Sequence, residues 1–166
     1  MKSLTTLLVL AATVFTQANA NRGPAPPRLS LLFTANVTAT TPIVIGDRPD
    51  GTRIAYPFTG GTFRGPRLNG TLLPVGADFS ILRPGNQFSS DGVAVLQTSD
   101  GANILFKDLG HQSGDFVYGS ATFETGAEQY RWINTAIAIS RARVSTENTG
   151  GSVELEVFMV RCLRLC

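Results

Sequence analysis

Asp78 follows the interruption Gly76-Ala77 in an otherwise apolar stretch. A strand bent there aims its carboxylate into a protein interior. An enclosed carboxyl holds its proton more tightly than a solvated one and suits general acid or base work. Glu124 is the second such carboxyl: counted by twos along a strand, Tyr118, Ser120, Thr122 and Glu124 share one face, and Tyr130, Trp132 and Asn134 share another. Turned inward, these faces give a polar cluster beside aromatic walls, the mixture that a flat, partly oxygenated molecule needs. Arg53 adds a guanidinium fork fit to polarise a carbonyl or hold a carboxylate. Asp78 and Glu124 are thus the candidate catalytic carboxyls, and Arg53, Tyr118, Tyr130, Trp132 and Asn134 the candidate ligand contacts. Each has a plainer reading: Asp78 as a turn cap or partner of an arginine, Arg53 as an ion pair with Asp78 or Glu124, Trp132 as core, Asn134 as backbone bonding at a bulge, Glu124 as turn chemistry. His111, between Leu109-Gly110 and Gln112-Ser113-Gly114, reads as a solvated loop residue.

Missing motifs narrow the chemistry. With 1 histidine and 2 cysteines, both in the tail, no site with two or three histidine ligands can be built, and no metal is expected. Neither a phosphate-cradling glycine loop nor a Gly-x-Ser-x-Gly elbow occurs, which removes kinases and ordinary serine hydrolases.

The chain opens with Lys2, the apolar run Leu7 to Phe15 and the small-x-small triplet Ala18-Asn19-Ala20, the pattern of a cleavable signal peptide. The expectation is a leader over residues 1–20 and a single secreted domain over 21–166. That apolar run is shorter than the roughly 20 residues a spanning helix needs, so no membrane anchor is expected. Removing Lys2 leaves 13 basic against 12 acidic side chains. Such a near-neutral chain, whose only paired arginines are Arg141 and Arg143, gives no nucleic-acid footprint. Secretion makes the sequons at Asn36 and Asn69 candidate glycosylation sites. Cys162 and Cys166 lie four residues apart, about 13 Å in an extended strand, so they bridge only if the tail turns back. Their pairing is left open.

The elements that must position these residues are strands. Period-two alternation of β-branched and aromatic residues recurs between Gly, Pro, Asn and Asp clusters, and helical periodicity is scarce. Over Arg28 to Thr38, Leu29, Leu31, Phe33, Ala35 and Val37 share one face and Asn36 points to solvent. Ile43 to Ile45 and Arg53 to Tyr56 flank a turn-rich connection and form a hairpin. Strands are expected at Gly70 to Leu73 and, after Gly76, at Asp78 to Arg83. Val93 to Thr98 and Asn103 to Phe106 enclose Asp100-Gly101, which suits a type I′ turn. Phe116 to Glu124, Tyr130 to Val144 and Val153 to Arg161 complete the series. Antiparallel strands with no helix to cover them close as a sandwich or a barrel.

Five segments taken together resemble domain-of-unknown-function family 3237: Gly60-Gly61-Thr62-Phe63-Arg64-Gly65-Pro66, Leu73-Pro74-Val75-Gly76-Ala77-Asp78-Phe79, Leu96-Gln97-Thr98-Ser99-Asp100-Gly101-Ala102, Phe123-Glu124-Thr125-Gly126 and Tyr130-Arg131-Trp132-Ile133-Asn134. The likeness spans nearly all of residues 21–166, with departures at Val75, Phe79 and a short segment between Gly110 and Phe116. It implies an all-β fold, an antiparallel up-and-down β-barrel, often a homodimer. Some fungal relatives are similar to cyclases that add a hydroxyl to an unsaturated carbonyl of a polyketide. The leading expectation is therefore a small-molecule-binding barrel acting as a cofactor-independent cyclase or isomerase. In it Asp78 or Glu124 takes the hydroxyl proton while Arg53, Tyr118 or Asn134 steadies the enolate. The other reading is a non-catalytic secreted binding or structural protein.

Overall fold

The computed structural model describes residues 26–143 and 151–161. The leader assigned to residues 1–20 and both Cys162 and Cys166 lie outside the described residues. The strands are β1 Arg28–Ala39, β2 Ile43–Arg48, β3 Gly51–Arg64, β4 Asn69–Arg83, β5 Gln87–Thr98, β6 Asn103–Ser113, β7 Phe116–Glu124, β8 Ala138–Arg143 and β9 Gly151–Arg161, with a 3₁₀ helix at Glu128–Thr135 between β7 and β8. Each strand pairs antiparallel with its sequence neighbour from β2 to β9. β1 bonds to both β9 and β3, so eight strands close a barrel and β2 lies beside β3. The expected up-and-down antiparallel barrel is the observed architecture. None of the described helices is long and apolar enough to cross a membrane.

Closure follows from alternation: on β5 Gly92, Ala94, Leu96 and Thr98 are buried, on β6 Ile104, Phe106 and Asp108, on β7 Val117, Ala121 and Phe123. Their intervening neighbours face out. The lower interior is dry and aromatic. Phe33 packs against Phe63, Phe106 and Phe123 at ring-centroid distances of 5.5, 6.0 and 6.2 Å. Leu72, Leu96 and Ile104 fill the space below, and Ile133 of the 3₁₀ helix is wholly buried against this cluster.

Four local expectations need correction. β1 carries a register slip between Leu31 and Phe33, so Phe33, Ala35 and Val37 face inward while Leu29 and Leu31 are exposed. A bulge of one residue reverses the phase. The two short strands expected around Gly76 are one long strand, β4, irregular against β5 between Leu72 and Gly76; Gly76 has a φ of +107, a conformation that β-carbon-bearing residues avoid. At the β5–β6 turn only Gly101 is left-handed (φ +88), and Thr98 accepts from the Gly101 N–H at 2.9 Å while its own N–H donates to Ala102 at 2.8 Å. This is a four-residue loop rather than a type I′ turn, which needs two positive φ values. Finally, Tyr130 to Asn134 is helical, and only Ala138–Arg143 is strand. Glu128 and Arg131 pair at 2.9 Å across one turn, and Asn134 clamps Thr125 by accepting from its N–H and donating to its carbonyl, both at 2.9 Å. These local bonds, with Ile133 as a plug, outweigh the strand pattern.

Candidate functional site

Strand registers define rings of side chains around the barrel. One ring runs Tyr56, Asp78, Gly92, Asp108, Ala121, Ala138, each directly opposite the next. Asp78 and Asp108 are therefore two strands apart, roughly 10 Å between their backbones, with a glycine between them. A methyl group placed on Gly92 would make an ordinary contact with the Asp108 backbone oxygen at 3.7 Å, so the position itself has room for a β-carbon. The two residues stand on either side of Gly92, and the Asp78 charge is felt at Asp108.

The next ring up holds Ser90, Gly110, Gly119 and Ser140 in register. Ser80, two residues on from Asp78, faces the same interior and is fully buried. Beneath the carboxyls, Ala94, Phe106 and Phe123 form the following ring, so the polar upper rings rest on an aromatic floor. Phe88 stands edge-on to Tyr56 at 6.3 Å near the upper mouth.

Each carboxyl has its own support. Asp78 is half-buried. It accepts from the Ser90 hydroxyl at 3.0 Å and from the Asp91 N–H at 2.8 Å. Burial raises its proton affinity above the ordinary carboxylate range, and those hydrogen bonds hold part of that rise back. Asp108 is 8% exposed and accepts from the Ser140 hydroxyl at 2.6 Å. Burial pushes its pKa up to about 6 against the opposing pull of Ser140, and the Asp78 charge adds to the rise. Burial, and secondarily the nearby Asp78 charge, also raises the Tyr56 phenol. Gly119 makes the Asp108–Ser140 contact feasible: a β-carbon there would sit 2.6 Å from Ser140 Oγ and 2.7 Å from Asp108 Oδ1.

Of the residues picked from sequence, the barrel brings Asp78 into this chamber and sends the others elsewhere. Glu124 is on the outer wall, paired with Lys107 at 2.7 Å and largely exposed. Tyr118 is also outside, near Arg141. Arg53 donates to the Phe79 carbonyl, in cross-strand phase with the outward-facing Ile81 rather than with Asp78. Tyr130, Trp132 and Asn134 lie at the opposite end in the 3₁₀ helix. There Tyr130 donates to Asp100 at 3.1 Å and Trp132 stacks under the Arg67 guanidinium at 3.5 Å. His111 is within β6 rather than in a loop, with Nδ1 3.1 Å from Ser89 Oγ.

Asp108 was not among the sequence candidates, yet a signal for it exists. The turn after Thr98 pairs Gln97 with Asn103, and continuing that register sets Asp108 opposite Gly92, in phase with Ile104 and Phe106. Reading β6 as ending at Phe106 stopped the count one step short.

A small closed β-barrel with a dry aromatic base and a carboxyl-bearing chamber near one end is the class of protein that fold and site define. Residues 27–119 match the family described as Protein of unknown function (DUF3237), and the chain belongs to that family. It is 35% identical over 135 residues, 81% of this chain and 85% of the relative, to the hydroalkoxylation enzyme phnH of Penicillium herquei. Among solved structures it resembles a β-barrel-like protein from Acinetobacter baumannii AYE, with a TM-score of 0.76 and 26% identity over 84% of this chain and 99% of that one. It also resembles an enzyme from Penicillium herquei, with a TM-score of 0.66 and 28% identity over 83% of this chain and 97% of that one.

Proposed function

We propose that this protein is a cofactor-independent cyclase that closes an oxygen ring by adding a substrate hydroxyl to a conjugated carbon–carbon double bond. The observation that carries the reading is the pair Asp78 and Asp108, in register on either side of Gly92 and both raised in proton affinity by burial. Likeness to a hydroalkoxylation enzyme supports it. Asp78, held by two donors, takes the proton from the substrate hydroxyl. The oxygen bonds to the β-carbon, the π electrons move onto the carbonyl as an enolate, and Asp108 returns a proton to the α-carbon. Substrate atoms balance, because the reaction is an isomerisation, and proton exchange with solvent then deprotonates Asp78 and reprotonates Asp108 before the next turn. Two enclosed carboxyls whose surroundings differ can divide base and acid roles. The aromatic floor suits a flat unsaturated skeleton of polyketide or aromatic type.

The test uses ortho-hydroxychalcone, whose internal ring closure to flavanone destroys its long conjugation and can be followed by absorbance. Wild type should accelerate the closure and Asp78→Asn should lose it while keeping its melting profile. Turnover surviving in Asp78→Asn counts against the reading. A secreted mature domain beginning after Ala20 belongs to the same proposal, and Asn36 and Asn69 are both exposed on the barrel surface. Expression in a eukaryotic secretory host followed by glycosidase treatment checks it; no shift in mobility argues against glycan at either site.

A further inference from the structure

Proton transfers at Asp78 and Asp108 leave one developing charge without a partner, the oxygen of the substrate carbonyl. Tyr56 stands beside Asp78 with a donor to offer it. The two residues lie directly opposite each other on β3 and β4, and residues so paired point to the same side of the sheet with their β-carbons about 5 Å apart. Both are partly exposed, so solvent reaches each of them. A phenol carries its hydroxyl a ring's length further along the side chain than aspartate carries its carboxyl, so this pair presents a donor and an acceptor at different reach. The Asp78 charge acts on the phenol, yet the Tyr56 hydroxyl makes no hydrogen bond among the described residues. Asp78 is already served by the Ser90 hydroxyl and the Asp91 N–H. The Tyr56 ring is braced edge-on by Phe88 at 6.3 Å, which fixes its direction without occupying its hydroxyl. Burial first, and the Asp78 charge second, hold the proton on the phenol, so the group stays a donor at neutral pH.

We propose that the Tyr56 hydroxyl donates a hydrogen bond to the carbonyl oxygen of the substrate and stabilises the enolate that forms there during ring closure. This assignment rests on the cyclase reading. It gives the two carboxyls a third partner: Asp78 meets the attacking hydroxyl, Asp108 the α-carbon, and Tyr56 the oxygen on which the negative charge collects. Tyr56 keeps its proton throughout, and the charge it steadies disappears when Asp108 protonates the α-carbon. A donor oriented before the reaction costs no reorganisation when that charge appears, and it binds the enolate more strongly than the starting carbonyl, so it raises turnover more than it tightens binding. The inferred substrate is accordingly a conjugated ketone or ester with its hydroxyl placed for internal attack.

The experiment compares wild type and Tyr56→Phe on ortho-hydroxychalcone, with their melting profiles. Phenylalanine keeps the ring against Phe88 and removes only the hydroxyl. Tyr56→Phe should lower kcat about a hundredfold with KM changed by no more than a few-fold, and its melting temperature should stay level, because the empty barrel loses no hydrogen bond. A second readout needs no turnover: Asp78→Asn should bind the chalcone unclosed and move its long-wavelength absorption to the red, as a hydrogen-bonded carbonyl does, and Asp78→Asn/Tyr56→Phe should bind it without that shift. A fall of several degrees in the melting temperature of Tyr56→Phe makes the hydroxyl a structural partner and overturns the inference. So does a red shift that persists in the double variant. A fully active Tyr56→Phe beside an active wild type also overturns it and leaves the cyclase reading standing, whereas a wild type that does not close the chalcone overturns both.

Discussion

Replacing Asp108 by Asn should stabilise the protein at neutral pH and do nothing at acid pH. In the folded barrel the carboxyl is 8% exposed, and its pKa rises from an ordinary 3.8 to about 6, chiefly through burial. A carboxyl that holds its proton more tightly when folded stabilises the fold only while protonated. As pH climbs from about 4 to about 6 the unfolded chain gives up this proton and the folded chain keeps it. Stability therefore falls across that window and levels off above it. The gap is roughly two tenfold steps in proton affinity, each about 1.4 kcal/mol, or about 3 kcal/mol in all. Asparagine keeps an oxygen for the Ser140 hydroxyl and never ionises. Asp108→Asn should thus match wild type at about pH 4 and exceed it by up to about 3 kcal/mol at about pH 7.5, roughly 6 to 12 °C in melting temperature for a domain of this size. Asp78, whose proton affinity is also raised by burial, contributes a slope of the same sign to both proteins, so the difference between them reports Asp108 together with its coupling to the Asp78 charge. Urea unfolding of both proteins across that pH range is the assay. A gap that stays constant with pH would refute the reasoning, because it would mean that Asp108 titrates alike in the folded and unfolded chains.

Turnover should fall on the alkaline side once Asp108 has lost its proton, giving a limb near pH 6, and Asp108→Asn, which has no proton to return, should lose turnover; a profile flat from about pH 5 to 8 argues that neither carboxyl moves a proton. Gly119→Ala forces a β-carbon to within 2.7 Å of both Ser140 Oγ and Asp108 Oδ1, and should cost about 1 to 3 kcal/mol in chemical denaturation and lower activity; wild-type behaviour in both would show that the Asp108–Ser140 contact is not tight. Glu124→Gln removes an exposed pair with Lys107. It should change stability by less than about 1 kcal/mol and leave turnover intact, and a dead variant would return Glu124 to the candidate carboxyls.

The barrel was legible because its strands alternate cleanly and its turns are short. Phe116 to Glu124 was expected at the ends observed, and the outward setting of Asn36 followed from the phase of Phe33, Ala35 and Val37. What alternation cannot give is which face of an isolated strand turns inward. Tyr118, Ser120, Thr122 and Glu124 do share a face, as counting by twos requires, but that face is the outer one. Its partner face holds Val117, Gly119, Ala121 and Phe123, a small and apolar set that fits a barrel lumen better than a row of polar side chains does. The polar cluster was read as a site because polar residues draw attention; the glycine and alanine opposite made the room.

The same reasoning explains why the Tyr130 to Asn134 segment misled. A period of two places Tyr130, Trp132 and Asn134 together, but so short a stretch is also compatible with a single helical turn. Longer-range contacts decided between them. Ile133 is buried completely under the aromatic cluster, and Tyr130 reaches Asp100 in the β5–β6 loop. This end of the barrel is sealed by packing. The other end supplies glycines, serines and two carboxyls, groups that add little hydrophobic stabilisation and, at Asp108, work against it. A barrel of this size could fill both ends with Leu and Phe, as it does at the base. That the costly groups gather at one end, above a stable floor, is the physical argument for proposing that this end takes a ligand while the lower half holds it in shape.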